Sequence, residues 1–400
     1  MRILLDYRPA LRQRSGVGEY VHQLARSLAI QRVDRSTERR AGDRRASTNF
    51  DDVEVFTSSW RDRPSRGAVA DLEPATVVDR RFPVQLLNFA WHRLLWPPVE
   101  WLTGRSYDVV HSPHPLLLPS RRAARVVTIH DLDFLRNFDR TTAEIRRDYP
   151  GLVARHAHLA DGIVVVSHHV ARLVTEHLGV PAERISVCPN GGPRWASEGD
   201  PVPPGNAGGR YLLFVGTLEP RKNVSGLLAA YAQLCADHPD TPPLVLAGGR
   251  TPAAQEWLDA IARPPLAGRV EYRGYVEDRA RRAVYAGARM LVLPSFDEGF
   301  GLTVVEAMSL GVPVVASNRG AIPEVAGGAA LLVDPDDHLG LAHAMDRVLH
   351  EPGLAPRLGE DGLQRARAFS WTQTAALTRT AYERAIEARN RRIHPANDEV

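Results

Sequence analysis

Tyr211-Leu-Leu-Phe-Val-Gly-Thr-Leu-Glu-Pro-Arg-Lys-Asn223 is the stretch whose reading decides the fold. Its first five residues are apolar without alternation, the pattern of a strand buried on both faces of a parallel sheet. Gly216 ends the run and opens a loop that carries Arg221 and Lys222. Lys222 is the only lysine of the chain, and the other 49 of its 50 Lys and Arg residues are arginine. A compact ammonium beside a guanidinium, in a glycine-led loop at the carboxyl end of a strand, suits a clamp for phosphate.

The same short, Val- and Ile-rich runs recur on both sides of this stretch. Downstream they fall at 244–248, 270–275, 290–295, 313–317 and 330–334, with helical patterns such as 224–236 and 279–288 between them. Upstream they fall at 2–7, 53–59, 108–113, 125–131, 162–167 and 185–189, with helical patterns at 18–28, 142–160 and 168–178. Residues 192–209, rich in Gly and Pro, break every period and read as a linker. The fold class is therefore α/β, with two doubly wound Rossmann-like domains facing a cleft. The expected boundaries are 1–191 for an acceptor-side domain, 210–368 for a donor-binding domain, and 369–400 for a terminal helix returning to the first domain. In such sheets ligands bind beyond the carboxyl ends of the strands.

Bulk properties narrow the function. A chain of 400 residues exceeds one ordinary core. The two cysteines, Cys188 and Cys235, make no metal spacing and predict a reducing, cytoplasmic setting. No apolar stretch approaches the roughly 20 residues that span a bilayer. The net charge of +3 equals the surplus of six arginines over three acids within 31–49, where no aromatic residue interleaves. That stretch reads as a solvated loop, and no nucleic-acid partner is expected.

Ser295-Phe-Asp-Glu-Gly-Phe-Gly-Leu-Thr-Val-Val-Glu-Ala-Met-Ser-Leu-Gly-Val-Pro313 is the densest site. It starts at a strand end. Gly299 and Gly301 bracket Phe300 and let backbone approach a ligand. A helix then runs from Leu302 to about Leu310, and its free N–H groups predict an anion site. A carboxylate beside a phosphate would repel it, so Glu298 and Glu306 are expected to face the neutral hydroxyls of a sugar and a ribose.

Glu298 and Glu306, with seven residues between them, resemble the EX7E motif of retaining glycosyltransferases of family 4, which have the GT-B fold. Ala321-Ile-Pro-Glu-Val325 and the Gly216–Asn223 loop are similar to that family as well. The resemblance implies that Arg221 and Lys222 hold the donor diphosphate, that Glu298 binds the transferred sugar, and that Glu306 binds the nucleotide ribose. It implies that backbone at Phe300–Leu302 touches sugar and phosphate, with Gly299 in the donor-binding set. In Ser15-Gly-Val-Gly-Glu-Tyr20 it brings Gly16 and Gly18 near the diphosphate or acceptor, and it makes His130 of His-Asp-Leu a contact near the reacting carbon. Catalysis is then mostly positioning and electrostatics.

No cofactor or metal is expected. Asp131-Leu-Asp133 and Asp334-Pro-Asp336 read as loop and turn, without further ligands nearby. Residues 85–102 hold three of the seven tryptophans. They suit either an interior helix pair, the favoured reading, or a peripheral membrane contact for a lipid-linked acceptor. The expected function is transfer of a hexose, with mannose preferred, from a nucleotide diphosphate sugar to an acceptor hydroxyl. A nucleotide-sugar-binding regulator and a same-fold epimerase are the alternatives.

Overall fold

The computed structural model describes residues 1–11, 16–38, 52–60, 62–136, 143–194 and 209–393. Contacts divide the chain into two units, Met1–Gly191 with Trp371–Val400, and Gly192–Ser370.

The first unit is built on seven strands, β1 Arg2–Asp6, β2 Asp52–Ser58, β3 Thr76–Arg80, β4 Val109–Ser112, β5 Ala124–Ile129, β6 Gly162–Val165 and β7 Ile185–Val187. They pair in the order β3-β2-β1-β4-β5-β6-β7, every pair parallel. The second unit has six, β8 Tyr211–Val215, β9 Leu244–Ala247, β10 Val270–Gly274, β11 Ala288–Leu293, β12 Val314–Ser317 and β13 Leu331–Val333. Their order is β10-β9-β8-β11-β12-β13, again all parallel. Both sheets are doubly wound, and the strand order reverses between β1 and β4 in one and between β8 and β11 in the other. Ligand crevices of open α/β sheets lie at such reversals.

The central strands are apolar because helices cover both faces. Ile3, Leu4 and Leu5 are all fully buried, as are Leu212, Leu213 and Phe214. The terminal helix Trp371–Ile393 lies in the first unit, against the helix Val17–Glu38 and strands β5 and β6. Gly162 lets it approach, since a Cβ there would stand 3.0 Å from Ala385 Cβ. Arg389 and Arg392 reach the buried Asp161 at 3.3 and 3.2 Å.

Some expectations change. Strand β3 was not anticipated: its only apolar residues are Val77 and Val78, so its pattern is weak. The first helix extends to Glu38 and takes in the start of the arginine-rich stretch, whose remainder, 39–49, lies outside the described residues. Most of the linker, 195–208, also lies outside them. The helix from Leu302 ends at Met308, so it has only seven residues. Among the described residues no helix is long and apolar enough to cross a membrane.

Candidate active site

The loops that follow β8 and β11, the two strands flanking the reversal, meet through charge. Lys222 Nζ donates to Glu298 Oε1 at 2.5 Å. Arg221 Nη1 reaches Glu298 Oε2 at 3.4 Å and the Asp297 carbonyl at 2.9 Å, while its Nη2 donates to Glu219 at 3.0 Å. The Phe296 N–H donates to the Arg221 carbonyl at 2.9 Å, so backbone ties the loops as well. Burial would raise the Glu298 pKa, but the Lys222 and Arg221 cations and the Lys222 hydrogen bond outweigh it and hold the carboxyl below its ordinary range. The site therefore presents two cations at one strand-end junction, both reached by the Glu298 carboxylate, with Glu219 a second partner of Arg221.

Two glycines make this junction possible. Gly301 has φ +95°, and a Cβ on it would meet Ile322 Cδ1 at 2.6 Å. Gly320 has φ +67°, and its Cβ would fall 2.6 Å from the Glu298 nitrogen. The turn after β12 can press on Glu298 only because that position is glycine. The Ala321 N–H then donates to the Glu298 carbonyl at 2.9 Å. Phe300 is buried and meets the ring of Phe369 edge-on at 5.5 Å.

Glu306 sits in different company. The helix Asp278–Ala286 carries Arg281 and Tyr285 four residues apart, hence on one face. Arg281 pairs with Glu306 Oε1, and the Tyr285 hydroxyl donates to Oε2 at 2.5 Å. Burial would lower the Arg281 pKa, yet the Glu306 charge raises it. Tyr285 is raised well above the phenolic range by burial and by the same carboxylate. Each acid is paired with a cation of the protein, because a carboxylate this deeply buried requires one.

In the first unit His130 stands just beyond β5. Its Nε2 donates to the Pro113 carbonyl, 3.0 Å away beyond β4, and its ring meets Tyr20 edge-on at 4.7 Å. Burial lowers its pKa to about 4, so at neutral pH the ring is uncharged, with the proton on Nε2 and an accepting lone pair on Nδ1. Behind it, Tyr20 and His111 both reach Thr128 Oγ1, at 3.0 and 2.7 Å, and the other nitrogen of His111 reaches the Tyr382 hydroxyl at 2.7 Å. At the strand-order reversal Asp6 is fully buried, 2.7 Å from Arg8 and 3.5 Å from His114. Gly16, with φ +51°, precedes the first helix, whose first turn contains Gly18.

Residues 209–351 match the family model of glycosyl transferases group 1, and 14–192 match that of glycosyltransferase family 4. The chain is 30% identical to O-antigen chain mannosyltransferase B of Escherichia coli over 398 residues, covering 96% of this chain and 100% of the relative. The chain belongs to glycosyltransferase family 4. It is an enzyme, a hexosyltransferase. Its fold is shared with sucrose-phosphate synthase of Thermosynechococcus elongatus, with a TM-score of 0.70 at 21% identity, covering 97% of this chain and 100% of that one. Anabaena HepE, solved with UDP and glucose, gives 0.68 at 17% identity, covering 96% and 99%. These likenesses fix the architecture of the glycosyltransferase as GT-B.

Within this glycosyltransferase, Gly216, Arg221, Lys222, Glu298, Gly299, Phe300, Gly301, Leu302 and Glu306 all belong to the second unit, and His130, Gly16 and Gly18 to the first. The structure joins Arg221 and Lys222 to Glu298 and gives Glu306 its own partners. Sequence reasoning missed Gly320, Arg281 and Tyr285. The Arg-x3-Tyr spacing on a helical pattern was the signal for the last two. Asp334 and Asp336 both bind Arg319, at 2.8 and 2.6 Å, as turn residues. The favoured interior reading of 85–102 holds only in part. Leu87, Trp91 and Val99 are buried, whereas Leu86, Phe89, Leu94, Trp96 and Trp101 are exposed.

Proposed function

We propose that this enzyme transfers mannose from a nucleoside diphosphate mannose to a hydroxyl of a saccharide or lipid-linked acceptor, with retention of anomeric configuration. The observation that carries the reading is the junction of Lys222, Arg221 and Glu298 at the carboxyl ends of β8 and β11. Donor binding re-partners it. The diphosphate takes the two cations, and the freed Glu298 accepts hydrogen bonds from sugar hydroxyls. As the glycosidic bond to phosphate breaks, Lys222 and Arg221 meet the charge that develops on the leaving diphosphate. With two fixed cations in that role, the reaction needs no divalent ion. Neutral His130, with an accepting Nδ1, is read as a polar contact to substrate. Glu306 accepts from the nucleotide ribose alongside Arg281. The preference for mannose rests on the full-length mannosyltransferase relative.

The test is a panel of GDP- and UDP-hexoses given in chelator with a saccharide acceptor, with the product followed by NMR. The reading predicts transfer from GDP-mannose with an α-linkage. An inverted product, or binding of every donor without turnover, contradicts it.

The partner reading extends to an anionic membrane surface on the cytoplasmic side. Support comes from the five exposed apolar side chains of 86–101, which are neighboured in sequence or space by the exposed Arg93, Arg121 and Arg122. The Arg121 guanidinium lies 5.8 Å over the Trp101 ring. Interfacial aromatics with arginine suit anionic headgroups. Sedimentation with phosphatidylglycerol vesicles should retain the enzyme and lose the Trp96→Ala/Trp101→Ala variant. Equal sedimentation of the two overturns the contact.

A further inference from the structure

Two helices of the second unit run side by side in the same direction, Val224–Asp237 and His338–His350. Their N-terminal ends are tied by Asn223. Its Oδ1 caps the first helix by accepting from the Gly226 N–H at 3.1 Å, and its Nδ2 donates to the Pro335 carbonyl at 2.7 Å, just before the second helix. Their C-terminal ends meet at three side chains. His238 is the C-cap residue of the first helix, and Asp346 and His350 lie four apart on the second.

Asp346 Oδ1 lies 2.9 Å from His238 Nε2 and 2.7 Å from His350 Nδ1, and the three ligand-type atoms fall within 4.8 Å of one another. The two imidazoles lie 4.6 Å apart between centroids, tilted by 35°. We propose that His238, Asp346 and His350 form a binding site for a divalent transition-metal ion of the Zn2+ class, stapling the C-terminal ends of these two helices.

Four observations carry the assignment. Two imidazoles and one carboxylate are a donor set that zinc-class ions take, with water completing the tetrahedron. A tetrahedral ion with bonds of about 2.1 Å has ligand-to-ligand edges of about 3.4 Å, so the two contacts to Asp346 lengthen by about half an ångström or slightly more, and the two ring nitrogens, within 4.8 Å of each other, adjust to the same edge. To ligate, each ring moves its proton to the nitrogen facing away from Asp346.

The electrostatics favour a cation. The site lies at the negative ends of two parallel helix dipoles. Asp346 also differs from several other carboxylates of an arginine-rich surface. Asp79, Asp148, Glu271, Asp334 and Glu351 each hold an arginine. Asp346 is paired with two histidines, and the adjacent Arg347 is engaged by Glu351 at 2.8 Å.

Access is open as well. The side chains of His238, Asp346 and His350 are 44%, 31% and 51% exposed, so an ion enters from solvent. The site lies at the far end of the helix that begins at the Lys222 loop. Its effect is on the stability of the second unit and not on the chemistry of transfer.

The test uses the full-length chain after chelator treatment. Zn2+ is titrated calorimetrically, Co2+ is followed by its visible absorption, and thermal unfolding is recorded with and without Zn2+. One equivalent should bind, tetrahedral Co2+ bands should appear, and Zn2+ should raise the unfolding midpoint. His350→Ala and Asp346→Asn should each weaken binding by at least about tenfold, since even second-layer partners of a metal are worth that much. Both should abolish the midpoint shift. His177→Ala, exposed in the first unit, should bind as the parent does. The altered side chains are on the surface, and far-UV circular dichroism checks that the variants are folded. Absence of saturable binding, or binding by His350→Ala and Asp346→Asn equal to the parent's, overturns the site. Glycosyl transfer in chelator is a separate readout, so failure here leaves the functional reading untouched.

Discussion

Glu298 and Glu306 are eight residues apart and almost equally buried, at 6% and 5% exposure, yet they are held in different ways. The partners of Glu298 sit on a loop beyond β8, where a ligand can take them over. The partners of Glu306 are two residues of one helix, packed inward, and their geometry is fixed by that helix. A buried carboxylate whose cations sit on a strand-end loop can release them to an anionic ligand. A buried carboxylate locked to a helix is a strut even when it also touches ligand. Residue type, burial and motif spacing are the same for both, and the origin of the partner tells them apart.

The largest test of this contrast is stability. Glu306→Ala leaves the largely buried Arg281 with only the more distant Asp278, 4.0 Å away, as counter-charge and takes a carboxylate acceptor from the Tyr285 hydroxyl. It should cost about 3–5 kcal/mol, measured by denaturant unfolding of the second unit. Lys222 and Arg221 keep other partners or solvent when Glu298 is changed, so Glu298→Gln should cost less, about 1–3 kcal/mol. It should also leave nucleoside diphosphate affinity unchanged or higher, because the cations no longer have to leave a carboxylate. Equal losses of stability in the two variants would erase the distinction between clamp and strut.

Much of this was legible in the sequence. Of the thirteen strands among the described residues twelve were readable, the central ones because burial on both faces makes an unbroken apolar run. Thr76–Arg80 was not, because its only apolar residues are the adjacent pair Val77 and Val78, too short a run between polar residues to carry either period. Lys222 stood out as a singular ammonium, and Glu298 through its glycine-rich setting. Arg281 did not, being one of 49 arginines, and only the folded helix shows which of them meets Glu306. Gly320 was silent because its need is a close approach to Glu298 across 22 residues of chain, which no local pattern encodes. The tryptophan-rich stretch was ambiguous for a similar reason: alternate side chains go inward and outward, and composition does not sort them.

The central claim is that Lys222 is a diphosphate clamp held ready by Glu298. Calorimetric titration of GDP into the enzyme and into Lys222→Ala tests it directly. A charge-assisted bond of about 1.5–3 kcal/mol predicts affinity weakened about 10- to 100-fold in the variant. Unchanged affinity would contradict the clamp.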